Sequence, residues 1–161
     1  MPDITPCLWF DNEGEDVALF YVSVFPNSKI IDISRYTEDG KEHHGKAPGT
    51  AMMVEFELDG KPFQALNGGP HFKIDEAISF SIRCKDQKEV DHYWDKLTAD
   101  GGAESMCGWL RDRFGVSWQV VPQPFVDMMT KGDAGQKSRV MQAMFAMRKL
   151  DIAVLEKAFN G

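Results

Sequence analysis

Apolar residues crowd positions 4–10, where Ile4, Leu8, Trp9 and Phe10 read as a strand, and the pattern then changes period. Val17, Phe20, Tyr21 and Val24 recur at helical spacing, with Asp11 or Asn12 placed to cap the helix and Pro26-Asn27-Ser28 to end it. Positions 29–36 alternate as a strand with Ile31 and Ile33 on one face, and 37–50 is a polar, glycine-bearing stretch expected to be an exposed loop. A strand over 51–58 meets Asp59-Gly60, a hairpin signal, and continues into 62–66 before Asn67-Gly68-Gly69-Pro70 closes this half.

The second half follows the same plan. A strand over 77–84 precedes Asp86 and a helix carrying Val90, Tyr93, Trp94 and Leu97, which Asp100-Gly101-Gly102 stops. Strands over 107–111 and 116–121 flank the turn Asp112-Arg113-Phe114-Gly115, and Pro122 and Pro124 break the sheet pattern. From 125 onward the chain reads as helical. Val140, Met144 and Met147 form an apolar stripe suited to a core or a dimer seam, and Asp151 is placed to cap a last helix bearing Ile152, Leu155 and Phe159.

The two halves superpose in sequence. A shift of 73 sets Val17 on Val90, Phe20 on Tyr93, Tyr21 on Trp94 and Val24 on Leu97, and lays strand 4–10 on 77–83 without a gap. A shift of 55 sets Gln64 on Gln119. Each half reads strand, helix, strand, strand, strand, and one half alone cannot cover both its sheet and its helix. The expected fold is therefore α+β, with two βαβββ modules at 1–70 and 71–124 and a helical extension at 125–161.

Charge and composition narrow the function. With 25 acidic residues against 18 basic ones the net charge is −7, so no basic footprint for nucleic acid is present. No apolar run approaches the roughly 18 residues of a membrane span, and the acidic start is unlike a signal peptide, which makes a cytoplasmic protein the expectation. Cys7, Cys84 and Cys107 have no CxxC spacing and read as reduced thiols, each a small apolar core residue, with Cys107 bordering a cavity strand. His43-His44 reads as part of a solvated loop and His92 as a surface residue, while His71, beside Asn67-Gly68-Gly69-Pro70, is the histidine placed to reach a cavity.

The segments PCLWFDNEGEDVALFYVSVFPNSKI, ALNGGPHFKIDEAISFSI, CGWLRDRFGVSWQVVP and VMQAMFAMRKLDIAVLEKAF, together with the duplication, resemble the PhnB-like branch of the vicinal-oxygen-chelate (glyoxalase/bleomycin-resistance) superfamily. The resemblance implies curved mixed sheets forming a cleft, a homodimer, and ligand positions on the first and last strand of each module. Those positions map onto Pro6 and Ser79, and onto Gln64 and Gln119. Proline, serine and glutamine make a poor metal site, so no metal and no cofactor are expected.

What remains is a pocket for a small polar or aromatic molecule. Gln64, Asn67, His71, Ser79, Ser81, Trp109 and Gln119 are its candidate residues. Arg83, on the Ser79 and Ser81 face, is either a solvated strand-end residue or a clamp for a carboxylate or phosphate. Two function classes follow: a metal-independent binding protein, or an enzyme working through His71, Gln64 and Gln119. Some relatives carry the label 3-demethylubiquinone-9 3-methyltransferase, but no glycine-rich strand-to-helix turn for a methyl donor is present.

Overall fold

Four strands and one long helix build the first unit, which ends at Ile74 in a computed structural model that describes residues 4–161. The elements are β1 (Cys7–Phe10), α1 (Gly14–Val24), β2 (Lys29–Arg35), a short α2 (Lys41–His44), β3 (Ala51–Leu58) and β4 (Lys61–Asn67). The sheet order is β1-β4-β3-β2, with β1 parallel to β4 and the other pairs antiparallel. Side chains alternate across such a sheet. Leu8, Phe10, Val54, Phe56 and Ala65 are buried on one side, where α1 contributes Val17, Tyr21 and Val24. The Tyr21 and Phe56 rings lie 6.4 Å apart across this layer.

The start of α1 departs from the expected cap. Glu13 occupies the cap position without a side-chain cap bond, and the Gly14 N–H donates instead to Asn67 Oδ1 at 2.8 Å. A side chain from the far end of β4 thus serves a helix terminus 53 residues away in sequence. Gly14 is required there, because a Cβ at this position would lie 2.8 Å from Asn67 Oδ1. The Asp59-Gly60 hairpin forms as expected, both residues adopting positive φ (48° and 72°) as a two-residue turn of the primed type demands.

Two local readings are corrected. A bulge between Ile30 and Asp32 breaks the alternation of β2, so Ile30 and Ile33 pair with Phe56 and Val54 while Ile31 is exposed. The polar stretch 37–50 contains the one-turn α2, and the His44 ring packs 4.4 Å from Tyr36 rather than standing in solvent.

The second unit runs from Asp75 to Gly161. Its sheet comprises β5 (Ser79–Cys84), β6 (Ala103–Glu104), β7 (Trp109–Arg111) and β8 (Ser117–Pro122) in the order β5-β8-β7-β6, with α3 (Gln87–Thr98) following β5. The two-residue β6, which the repeat called for but no local pattern placed, supplies the fourth strand. Asp86 caps α3 by accepting from the Glu89 N–H, and Val90, Trp94 and Leu97 are buried beneath it. Both sheets are mixed and each is covered by one helix, so the α+β class and the doubled βαβββ plan hold.

Register refines the repeat. The 73-residue shift relates the helices, since Glu13 and Asp86 hold equivalent cap positions and Val17, Tyr21 and Val24 match Val90, Trp94 and Leu97 in burial. It fails for the first strands. Leu8 and Phe10 are buried, yet their partners under that shift, Ser81 and Arg83, are exposed; the buried pair is Ile82 and Cys84, a shift of 74. The connection from strand to helix is one residue shorter in the second unit, and a one-residue slip moves every side chain to the other face. Pro6 is accordingly not the counterpart of Ser79.

Beyond β8 the chain forms α4 (Gln123–Lys131), α5 (Ala134–Phe145) and α6 (Ile152–Asn160). Pro122 and Pro124 stand at the start of α4, where a missing N–H costs nothing. Asp133 and Gln136 make a reciprocal capping box at α5, and Asp151 caps α6 through the Val154 N–H. Met128, Val140, Leu150 and Leu155 form a buried cluster with Phe125, Met144, Met147 and Phe159 packed around it. The apolar stripe of α5 is therefore core.

The extension is fastened to the sheet. Cys107 and Gly108, both at positive φ (59° and 83°), donate their N–H groups to the Met147 and Arg148 carbonyls at 2.8 Å each. Lys149 pairs with Asp91 at 2.9 Å, which raises the lysine pKa and lowers that of the carboxylate, first through their hydrogen bond. Gln87 ties the loop before α6 to α3, donating to the Leu150 carbonyl and accepting from the Ile152 N–H.

Candidate functional site

In each unit the helix covers one sheet face and leaves the residues of opposite parity on the other. Across the first sheet, register brings Cys7, Gln64 and Glu55 into one row, with Trp9, Leu66 and Met53 in the next. Gln64 Nε2 donates to Glu55 Oε1 at 3.1 Å. Glu55 was not among the residues expected here, although the alternation of 51–58 already placed it opposite Val54 and Phe56. Trp9 lies along this face, its Nε1 donating to the Gly69 carbonyl at 2.9 Å and its ring meeting Phe72 edge-on at 4.9 Å. The indole occupies the space a side chain at Gly68 would need, a Cβ there falling 2.2 Å from Trp9 Cζ2.

Asn67 and His71 stand apart from this row. Asn67 faces α1 and is 1% exposed; its Oδ1 accepts from Gly14, its Nδ2 donates to the Ala51 carbonyl at 3.0 Å, and its own carbonyl accepts from the Tyr36 hydroxyl. Its amide is spent on holding helix to sheet, which separates it from the cavity group. His71 is exposed, with its ring carbon close to the position a Gly69 Cβ would take.

The second sheet assembles more of the expected set. Ser81, Gln119 and Trp109 form one row across β5, β8 and β7, and Ser79, Ser117 and Arg111 form the next. Gln119 Nε2 donates to Ser79 Oγ at 2.9 Å. Four of the seven candidate residues, Ser79, Ser81, Trp109 and Gln119, thus share one face, the one turned away from α3. Ser117 was missed by sequence reasoning. It is 1% exposed, and its hydroxyl has no hydrogen-bond partner.

The turn entering β8 is built by Asp112, itself 1% exposed. Oδ1 accepts from the Phe114 and Val116 N–H groups at 2.9 and 3.0 Å, and Oδ2 accepts from Trp118 Nε1 at 2.9 Å. This carboxylate has no group left for a ligand; it sets the path of the strand that carries Ser117 and Gln119.

The donor set does not suit a divalent metal. The first row offers the Glu55 carboxylate, the Gln64 amide and the Cys7 thiol, and the second offers serine and glutamine. Among the described residues no three His, Cys, Asp or Glu side chains gather in metal-binding range. Partial desolvation raises the Cys7 thiol pKa, which disfavours the thiolate that a metal needs.

Burial, with Glu89 and Asp86 nearby, pushes the Cys84 thiol up to about 12. Of the three cysteines expected in the core only Cys84 is buried; Cys107 is half-buried, and Cys7 is exposed because it lies on the sheet face away from α1. Native protein at pH 8 is therefore expected to alkylate with iodoacetamide at Cys7 and not at Cys84. Peptide mass mapping checks this, and equal labelling of the two would refute the placement of β5. Because the unfolded thiol ionises near pH 9 and the folded one near 12, the stability due to a neutral Cys84 is full below pH 9 and is lost as pH rises through that window.

Elsewhere in the second unit two open grooves of about 390 and 360 Å³ adjoin at Pro124 and Glu156, and none of the seven candidate residues lines either. Among the described residues no helix is long and apolar enough to cross a membrane.

Residues 2–121 match the family model for 3-demethylubiquinone-9 3-methyltransferase, a match that ends inside β8 and leaves α4, α5 and α6 outside it. A putative 3-demethylubiquinone-9 3-methyltransferase from Bacillus cereus, described as a PhnB protein, is 32% identical with a TM-score of 0.67, covering 75% of this chain and 99% of its own. A Pseudomonas aeruginosa protein shares the fold at 18% identity and TM-score 0.61, covering 76% of this chain and 98% of its own. The fosfomycin resistance protein FosX of Listeria monocytogenes does so at 14% identity and TM-score 0.50, covering 73% and 87%. Among curated proteins none matches significantly. With the family model spanning well over half of the sequence, and two helix-covered mixed sheets built as that fold requires, the chain belongs to the 3-demethylubiquinone-9 3-methyltransferase family, the PhnB-like branch of the vicinal-oxygen-chelate superfamily.

Proposed function

We propose that this chain is a cytoplasmic, homodimeric binding protein that takes a small polar molecule with aromatic character on its open sheet faces and needs no metal to do so. The observation that carries the reading is the Gln119–Ser79 hydrogen bond beside Trp109 on the face opposite α3. A half-buried amide flanked by an indole offers one donor, one acceptor and a stacking surface, which suits a planar ligand edge. Gln64 with Glu55 and Trp9 gives the first unit a similar arrangement with an added negative charge.

Binding is favoured over metal-dependent catalysis because the second row supplies only amide and hydroxyl groups, and the first adds one carboxylate and a thiol whose pKa is raised, short of the three or more strong ligands a metal needs. Methyl transfer, which the family description names, gains no support from the strand-to-helix connections. Residues 11–13 and 85–86 carry no glycine-rich turn for a nucleotide-like donor, and the sheets are not doubly wound.

The test joins elemental analysis of the untagged protein with an NMR titration using benzamide, a neutral planar amide, as the probe. Metal well below one equivalent is expected, with benzamide shifting the Trp109 indole resonance. Gln119→Leu should weaken that binding about two- to tenfold, the worth of one ligand hydrogen bond. Near-stoichiometric metal, or an unchanged affinity in the leucine variant, would overturn the reading. Sedimentation showing only an 18.2 kDa particle would remove the dimer.

A further inference from the structure

Four of the six arginines are engaged. Arg35 pairs with Glu15, Arg113 with Asp100 and Arg148 with Glu104, and Arg139 donates to the Ala158 and Phe159 carbonyls. Arg83 and Arg111 are the exceptions: neither has an ion pair or hydrogen bond among the described residues. Both stand on the open face of the second sheet.

Register fixes their neighbours. One row runs Ser79, Ser117, Arg111 and Ala103; the next runs Ser81, Gln119 and Trp109; Arg83 pairs with Val121 in the third. No position in these rows is acidic. In a chain of net charge −7 this is a local inversion, and the open face of the first sheet differs, with Asp32 in register with Glu55 and Glu57 paired with Lys29. Between Ser79 and Arg111 lies the Ser117 hydroxyl, nine-tenths buried and without a partner. A hydroxyl that could turn toward a neighbouring backbone carbonyl but has none in reach is rare in a folded protein.

We infer that this face is an oxyanion site, in which Arg111 and the Ser117 hydroxyl receive a carboxylate or phosphate group of a planar ligand that rests against Trp109. The inference rests on the proposed binding function and names the ligand class. Arginine supplies paired N–H donors in the plane of an oxyanion. The serine donates one more hydrogen bond and loses its orphan status when the ligand arrives. Arg83, two rows away, adds long-range positive potential rather than a direct contact, so its effect is screened by salt.

Four probes separate the possibilities by NMR titration: benzoate, phenyl phosphate, inorganic phosphate and neutral benzamide. Benzoate or phenyl phosphate is expected to bind at least tenfold more tightly than benzamide. Arg111→Gln should remove that preference, bringing benzoate and phenyl phosphate down to the affinity of benzamide for the same variant, and Arg83→Gln should halve it and flatten its salt dependence. Ser117→Ala should weaken benzoate severalfold without lowering the melting temperature, whereas a purely structural hydroxyl would show the reverse. Tight inorganic phosphate with weak benzoate would assign a free anion, and would overturn the aromatic ligand class. Equal binding of benzoate and benzamide, or no effect of Arg111→Gln, would overturn the oxyanion site and leave the proposed function standing. Failure of all four probes would overturn both.

Discussion

Replacing Asp112 with alanine is expected to cost the protein about 4 kcal/mol. Three donors, the buried Val116 N–H and Trp118 Nε1 and the half-buried Phe114 N–H, converge on this one carboxylate, which is 1% exposed. Removing it leaves the two buried donors without a partner, at about 1–3 kcal/mol per orphan before relaxation, while the Phe114 N–H can turn to water. The backbone bonds between Asp112 and Val116 and from Gly115 depend on the same loop, and the Arg113–Asp100 pair that also ties the turn is exposed. Urea denaturation followed by tryptophan fluorescence should show the loss, with a melting temperature lower by roughly 10 °C for a chain of this size. Asp112→Asn keeps an oxygen for the backbone donors and turns an N–H toward the indole N–H, so an intermediate loss is expected. A change below about 1 kcal/mol for the alanine variant would refute the network.

The second large effect is expected at Asn67→Ala, at roughly 2–4 kcal/mol. The side chain closes a triangle of helix, sheet and neighbouring strand: Gly14 at the start of α1, β4 itself, and the Ala51 carbonyl at the start of β3. An alanine leaves the first N–H of α1 unmet and opens a polar void beside a glycine too close to accept any side chain of its own. Hydrogen exchange should localise the damage to the amides of the first turn of α1. Probe binding on the second sheet should be unaffected. If instead the variant retained its stability and lost benzamide affinity, Asn67 would be a ligand residue and its assignment as a distant helix cap would be wrong.

These two residues mark where sequence reading succeeded and where it stopped. Asp112 was legible as a turn residue, because Asp followed two positions later by an aromatic and then glycine before a strand has few other uses. That its second oxygen would hold Trp118 was not, since the indole and the carboxylate meet through strand geometry. Asn67 was read as a cavity residue, in the segment Asn67-Gly68-Gly69-Pro70 that precedes His71. Alternation along β4 puts residues 64 and 67 on opposite faces, and that parity was available in the sequence. The partner, Gly14, was not, because nothing at position 14 announces a helix start that lacks its own cap.

The repeat shows the same division. Helical equivalence survives as a shift of 73 because buried residues recur on one stripe whatever the loop does. Strand equivalence depends on parity, and one missing loop residue reversed it, moving the counterpart of Cys7 from Phe80 to Ser81. The residues of β5 escaped this error because their own alternation, Ser79, Ser81 and Arg83 against Phe80, Ile82 and Cys84, decided their faces independently of the repeat. Ser117 and Arg111 became candidates only through pairing across β7 and β8, which no linear pattern expresses.

By itself the sequence determined the α+β class, the doubling, the helices α1, α3 and α6 and their stripes, the hairpin at Asp59-Gly60, and which face of β5 is polar. Each follows from local chemistry: period, turn residues and capping, all of which act within a few positions. Only the tertiary structure decided the bulge in β2, the remote cap on α1, the clamp from Met147 and Arg148 onto Cys107 and Gly108, and the company that Gln119 keeps. Those features need partners tens of residues apart to be brought within about 3 Å, and the choice among such partners is made when sheets take their register and side chains fill the remaining space.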